Sequence, residues 1–259
     1  RLSFVVMFWV DSMAFNEFQI KVLEKSSKTT GYGGFASKSC VRHLNRAFEL
    51  KSSMPEVAAF LAITAEEEAA TAIFAALLKR KYNHASSFKV RDHKHKAGVY
   101  PFLKLLGEVL GPLKHGLSLN LFFDEKDDAL RVRMPIGIQG DRQICIVPDP
   151  PLNLVSVDRG GNQTDYLKQV RSVASNQGVG STFKYVQDLA NERNTMLYAS
   201  DSGIPKILDI DHTLKRHSEA ALLNLIIYLL IEPYKVQNLV QESVDTYIKI
   251  LHRIDEEKT

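Results

Sequence analysis

Three consecutive acids, Glu66, Glu67 and Glu68, interrupt what the sequence marks as the most apolar helix of the chain. Across residues 55–81, Phe60, Thr64, Phe74 and Leu78 recur on one helical seam, flanked by Val57, Leu61, Ala75 and Leu77. Glu67 falls on that seam. An unpaired ionised carboxylate is too costly to bury, so some other segment must bring it a cation or a hydrogen-bond donor. The sequence offers Arg91, His93, His95 and Lys96, and again Arg193. Two arrangements satisfy the constraint. In one, Glu66 is solvated while Glu67 and Glu68 form a structural ion pair. In the other, the acids build a polar site inside a helical bundle, where burial perturbs acid strength and makes acid/base roles accessible.

The 259 residues are enough for a large core, as one big domain or two small ones, and 45% hydrophobic with 24% charged residues is an ordinary globular composition. A formal charge of +3 is too near balance to argue by itself for nucleic acid or an anionic membrane. Cys40 and Cys145 share no metal-ligand or redox spacing, which suits free thiols in a reducing cytoplasm. The apolar run over residues 2–10 is shorter than the roughly 20 residues a bilayer crossing needs. We expect no membrane span, and read this run as an extension or an extra buried strand.

Helical periodicity predicts a first amphipathic helix over 37–52, carrying Val41, Leu44 and Phe48, after a glycine-rich opening at Gly31, Gly33 and Gly34. Pro55 and Glu56 then start the acid-bearing helix, which ends near Lys79, Arg80 and Lys81, where cations suit a helix C-terminus. A basic stretch over 89–96 leads into another helix over 100–110. The period then changes from helical to alternating. Leu119, Leu121 and Phe123, followed by Leu130, Val132 and Met134, predict a hairpin, and 143–147 and 152–157 are two more strand candidates. Helical patterns return with Tyr166, Val170 and Val173, then Phe183, Val186 and Leu189, and finally over 212–230 and 234–254. The expected fold class is mainly α: a helical bundle with a small antiparallel sheet inserted at about 117–158 and additional C-terminal helices.

Two further clusters carry chemistry. In Arg91, Asp92, His93, Lys94, His95 and Lys96, a helical start puts His93 and Lys96 on one side and Arg91 and His95 on the other, so one pair can face the carboxylates and the other solvent. The two histidines diverge on a helix and match no ligand set, so no metal is expected. In Glu192, Arg193, Asn194 and Tyr198, the guanidinium and phenol lie little more than one helical turn apart and could grip phosphate, or simply cap and pack a bundle helix. Glycine-rich nucleotide loops and a nucleophile elbow are absent. Asp211 reads as a helix N-cap, and His217, beside Arg216, as exposed.

Taken together, these segments resemble the AbiV-type abortive-infection proteins of the HEPN superfamily. Three stretches carry the resemblance in order: Leu61-Ala62-Ile63-Thr64-Ala65-Glu66-Glu67-Glu68, Arg91-Asp92-His93-Lys94-His95-Lys96, and Arg193-Asn194-Thr195-Met196-Leu197-Tyr198. It covers about residues 37–205, with 1–36 as an N-terminal extension and 206–259 as C-terminal helices packed on the same domain. The resemblance implies a HEPN-like bundle, a homodimer, and an antiphage effector that is a metal-independent ribonuclease needing no cofactor. It implies catalytic roles for Arg193, Asn194, Tyr198, Glu67, Glu68 and His93, and binding roles for Arg91 and Lys96. RNA or the translation machinery would be the target, with a phage-encoded activator as a further partner, in the cytoplasm. Tyr198 stands where the family carries a histidine, and Ala70-Thr71 replace its usual Gly-Lys. A phenol with a pKa of about 10 is a poor base at neutral pH. The alternative is therefore a non-catalytic HEPN-like module that arrests translation or binds a phage protein.

Overall fold

The computed structural model describes residues 15–110, 119–155, 157, 160–163, 166–176, 207 and 209–256. Helix α1, Glu17–Lys28, falls in the stretch that the sequence leaves as an extension. Its start is a capping box: the Asn16 side chain accepts from the Gln19 N–H and the Gln19 side chain accepts from the Asn16 N–H, each at 2.9 Å. Helix α2, Gly31–Leu50, begins earlier than the expected 37, taking in the glycines that read as a loop. Two of them, Gly33 and Gly34, sit where other parts of the chain come too close for a side chain. A side chain at Gly33 would meet the Tyr228 ring, and one at Gly34 would lie 1.9 Å from the Thr29 carbonyl oxygen. The Thr29 and Tyr228 hydroxyls share a 2.8 Å hydrogen bond at the same junction.

Helix α3, Pro55–Lys79, is the axis of the structure. Pro55 suits its first turn, and its many alanines favour the helix and leave room for close neighbours. It packs chiefly against α2 and against α7, Ile210–Ile231. Burial therefore encircles it from Ala58 to Leu77, and the single seam read from the sequence is only part of the buried surface. Val57 and Leu78, placed on or beside that seam, lie near the helix ends and are exposed.

After α3 come a short 3-10 turn, Ala85–Ser87, then α4, His93–Ala97, and α5, Val99–Leu110. The predicted hairpin forms as β1, Asn120–Phe123, and β2, Leu130–Gln139, joined by β3, Arg142–Ile146, in an antiparallel β1-β2-β3 sheet. Leu130 and Val132 point into the core while Arg133, the next residue along the strand, faces outward. Among the described residues of the strand expected over 152–157, no strand forms. Leu152 instead buries its side chain and gives its N–H to the Gln237 side chain at 2.7 Å, leaving one isolated bridge between Val157 and Gln163.

Helix α6, Tyr166–Asn176, follows the predicted periodicity, and α7 and α8, Asn238–Glu256, complete the described fold. The cap of α7 is Asp209, whose side chain accepts the His212 N–H at 2.9 Å, and not Asp211, which pairs with Lys51 at 2.9 Å. Helix α8 starts at Asn238 rather than near 234, and Gln237 just before it bonds to other segments: its side chain takes the Leu152 N–H and its own N–H donates to the Tyr82 hydroxyl at 3.1 Å. Fully buried, it also donates to the Leu230 carbonyl at 2.8 Å, so that its burial leaves both ends of the amide hydrogen-bonded. No described helix is long and apolar enough to cross a membrane. Alanine at Gly34 would add intrinsic helix propensity but drive a methyl into backbone that cannot rotate away, so Gly34→Ala should lose about 2 kcal/mol of unfolding free energy, measurable by urea titration.

Candidate functional site

The three acids of α3 separate around the helix and meet different neighbours. Glu66 is 5% exposed, so it is not the solvated member that the sequence suggests. Its carboxylate receives His217 Nδ1 at 2.7 Å, from α7. His217 is likewise buried, at 2% exposure, because the face of α7 that carries it lies against α3. Arg216 Nη1 lies 3.1 Å from His217 Nε2. An arginine only donates, so Nε2 accepts and the imidazole proton sits on Nδ1, directed at Glu66. The guanidinium charge thus reaches the buried carboxylate through a neutral ring.

Glu67, 3% exposed, takes the basic turn as its partner. His93 Nδ1 lies 3.0 and 2.8 Å from its two oxygens, and Lys96 Nζ lies 3.2 Å from Oε2. The spacing of three residues that puts His93 and Lys96 on one side of a helix is what lets both reach one carboxylate. The burial of the pair differs: the His93 side chain is 49% exposed, whereas that of Lys96 is 10% exposed. A half-exposed imidazole is therefore oriented by a carboxylate behind it, the arrangement by which enzymes hold a proton-transferring histidine in one tautomer.

A helix of five residues does not hold itself. Helix α4 is fixed by Asp92, which caps it by accepting the Lys94 N–H at 2.9 Å, and by His95. Spacing set His95 on the same side as Arg91, opposite His93 and Lys96; Arg91 is exposed, but His95 is buried. Its Nδ1 accepts the Lys89 N–H at 3.2 Å, and its carbonyl accepts the Tyr247 hydroxyl at 2.8 Å. Burial pushes the Tyr247 phenol well above its usual pKa, so it stays protonated and can make this donation.

Glu68 is half-buried toward α2. Burial holds His43 below the ordinary imidazole value, while the charge of Glu68 acts in the opposite sense, and Arg42 and Arg46 reinforce the lowering. Nδ1 of His43 is buried without a hydrogen-bond partner among the described residues. Burial also raises the Cys40 thiol, aided by Glu68 and Glu66, which makes it a poor nucleophile. Among the described residues no cluster of three His, Cys, Asp or Glu side chains could hold a metal ion.

Two of the three sequence clusters thus meet, at Glu67, His93 and Lys96. Arg193, Asn194 and Tyr198 lie outside the described residues. The sequence reading missed the Glu66, His217 and Arg216 relay. The signal available for it was the interruption of an apolar α7 pattern by a histidine, which reads equally well as surface.

Removing one partner of a buried ion pair strands the other, so Lys96→Met should cost about 3 kcal/mol in a urea titration, with Glu67→Gln in the same chain restoring part of it. His43 gives a separate pH signature. A folded value below the unfolded one means that the native state binds fewer protons, so its contribution is intact above about pH 6.5 and is lost as pH falls toward the folded value. Urea midpoints followed from pH 7.5 to 5 should fall, and fall less steeply for His43→Gln. Compared with protein-family models, curated proteins and solved structures, the chain matches none.

Proposed function

We propose that the chain is an antiphage effector of the HEPN type that acts on RNA as a metal-independent endoribonuclease. The observation that carries this reading is the pairing of Glu67 on the long helix with His93 and Lys96 on the basic turn, because the resemblance gives roles to both segments. The chemistry is attack of a ribose 2′-hydroxyl on the adjacent phosphate. A base removes the hydroxyl proton, O2′ bonds to phosphorus, and the 5′-oxygen leaves with a proton, giving a 2′,3′-cyclic phosphate. Imidazole exchanges protons near neutral pH, so His93, oriented by Glu67, is the better proton carrier and Tyr198 the poorer one. Arg193 stabilises charge on the phosphoryl oxygens. Exposed Arg91 and Lys89 flank His93 in sequence and would engage the RNA backbone.

A second reading, a non-catalytic binding module, is favoured by Tyr198 in place of the family histidine. The two separate in one experiment. Purified protein is incubated with total and transfer RNA while the same variants are challenged with phage. Wild type should leave 2′,3′-cyclic ends, and His93→Gln and Arg193→Ala should cleave at least about 100-fold more slowly at unchanged melting temperature. Growth arrest with intact RNA would retire the enzymatic reading and leave the binding one. Loss of neither activity nor protection in both variants would remove the site itself.

A further inference from the structure

Helices α3, α5, α7 and α8 do not close fully on one another. Between them and the sheet lies a cavity of about 340 Å³, partly open to solvent. Phe74 of α3, Leu106 of α5, Ile226 and Leu230 of α7, Val240 of α8 and Val132 of β2 form its wall. Among the described residues that line it, only Ser243 and Tyr247 carry side-chain polar atoms, and both hydroxyl protons are already given away. Ser243 donates to the Leu239 carbonyl at 2.7 Å and Tyr247 to the His95 carbonyl at 2.8 Å. The described wall thus offers a guest no charge and no uncommitted side-chain donor.

Those properties select the chemistry of an occupant. An anionic headgroup, a nucleotide or a sugar would lose its hydration without a partner to replace it. An apolar guest loses nothing and restores the dispersion contacts that an empty wall forgoes. A dry apolar cavity of about 150 Å³ is known to take one benzene, and small-molecule sites run from about 300 to 1,000 Å³. We propose that this cavity is a binding site for one uncharged, hydrocarbon-like small molecule of about a dozen non-hydrogen atoms. The proposal is independent of the RNA reading. It nevertheless places the guest beside the candidate site, since Tyr247 in the cavity wall stacks on Phe102 at 4.8 Å and holds the turn that carries His93.

The test uses the full chain with 1-decanol, decanoate as its charged counterpart, and calorimetric titration. Decanol should bind one per chain and at least tenfold more tightly than decanoate. It should also shift the methyl resonances of Ile226 and Ile227. Leu103→Trp, which puts bulk into the cavity from a half-buried position on α5, should weaken decanol at least tenfold. Ser243→Leu does the same from α8 and serves if the first variant does not fold. Absence of saturable decanol binding overturns the proposal. So does equal affinity for decanoate, binding unchanged in the folded blocking variants, or methyl shifts confined to residues away from the cavity.

Discussion

Burying consecutive acids in one helix obliges its neighbours to answer each of them. The rotation of the α3 backbone sends Glu66 toward α7, Glu67 toward α4 and Glu68 toward α2, so a single run of sequence addresses separate packing partners. Each answer is chemically different. Glu66 meets a neutral imidazole backed by arginine, Glu67 meets a histidine and a lysine, and Glu68 remains half-buried near a histidine that burial keeps less basic. The alanines around the acids make this geometry possible, because small side chains let α2 and α7 come close enough to deliver short polar contacts. The polar residues then fix the rotational setting of α3, which apolar packing of near-identical alanine faces would define poorly.

The candidate site inherits its order from that setting. His93 belongs to a helix of five residues that has no stability of its own, yet four independent contacts hold it: the Asp92 cap, the Lys96 ion pair, the Lys89 N–H on His95 and the Tyr247 hydroxyl on the His95 carbonyl. Only the His93 ring emerges halfway into solvent. A reactive group presented by a short element and locked from behind by buried partners is a preorganised arrangement, in which little ordering remains to be done when a substrate arrives. The aromatic cluster of Phe74, Phe88, Phe102 and Tyr247 forms the apolar side of the same support.

What the sequence determined was local. Hydrophobic period placed α3, the β1-β2 hairpin, α6 and α7, since each carries a 3.6- or 2-residue apolar repeat long enough to show through the polar residues within it. The cost of burying Glu67 foretold a cationic partner, and spacing named His93 and Lys96 as the pair sharing a face. The tertiary structure decided everything that depends on a second segment. Gly33 and Gly34 read as an opening before the helix until Tyr228 and Thr29 are seen close against them within it, and 152–157 reads as a strand until Gln237 takes the Leu152 N–H. Glu66 and His217 each read as solvated because neither sequence neighbourhood contains the other, 151 residues away. A periodicity reports which face of an element is apolar; which partner that face meets, and which polar groups are buried at the meeting, is settled only when the chain has closed on itself.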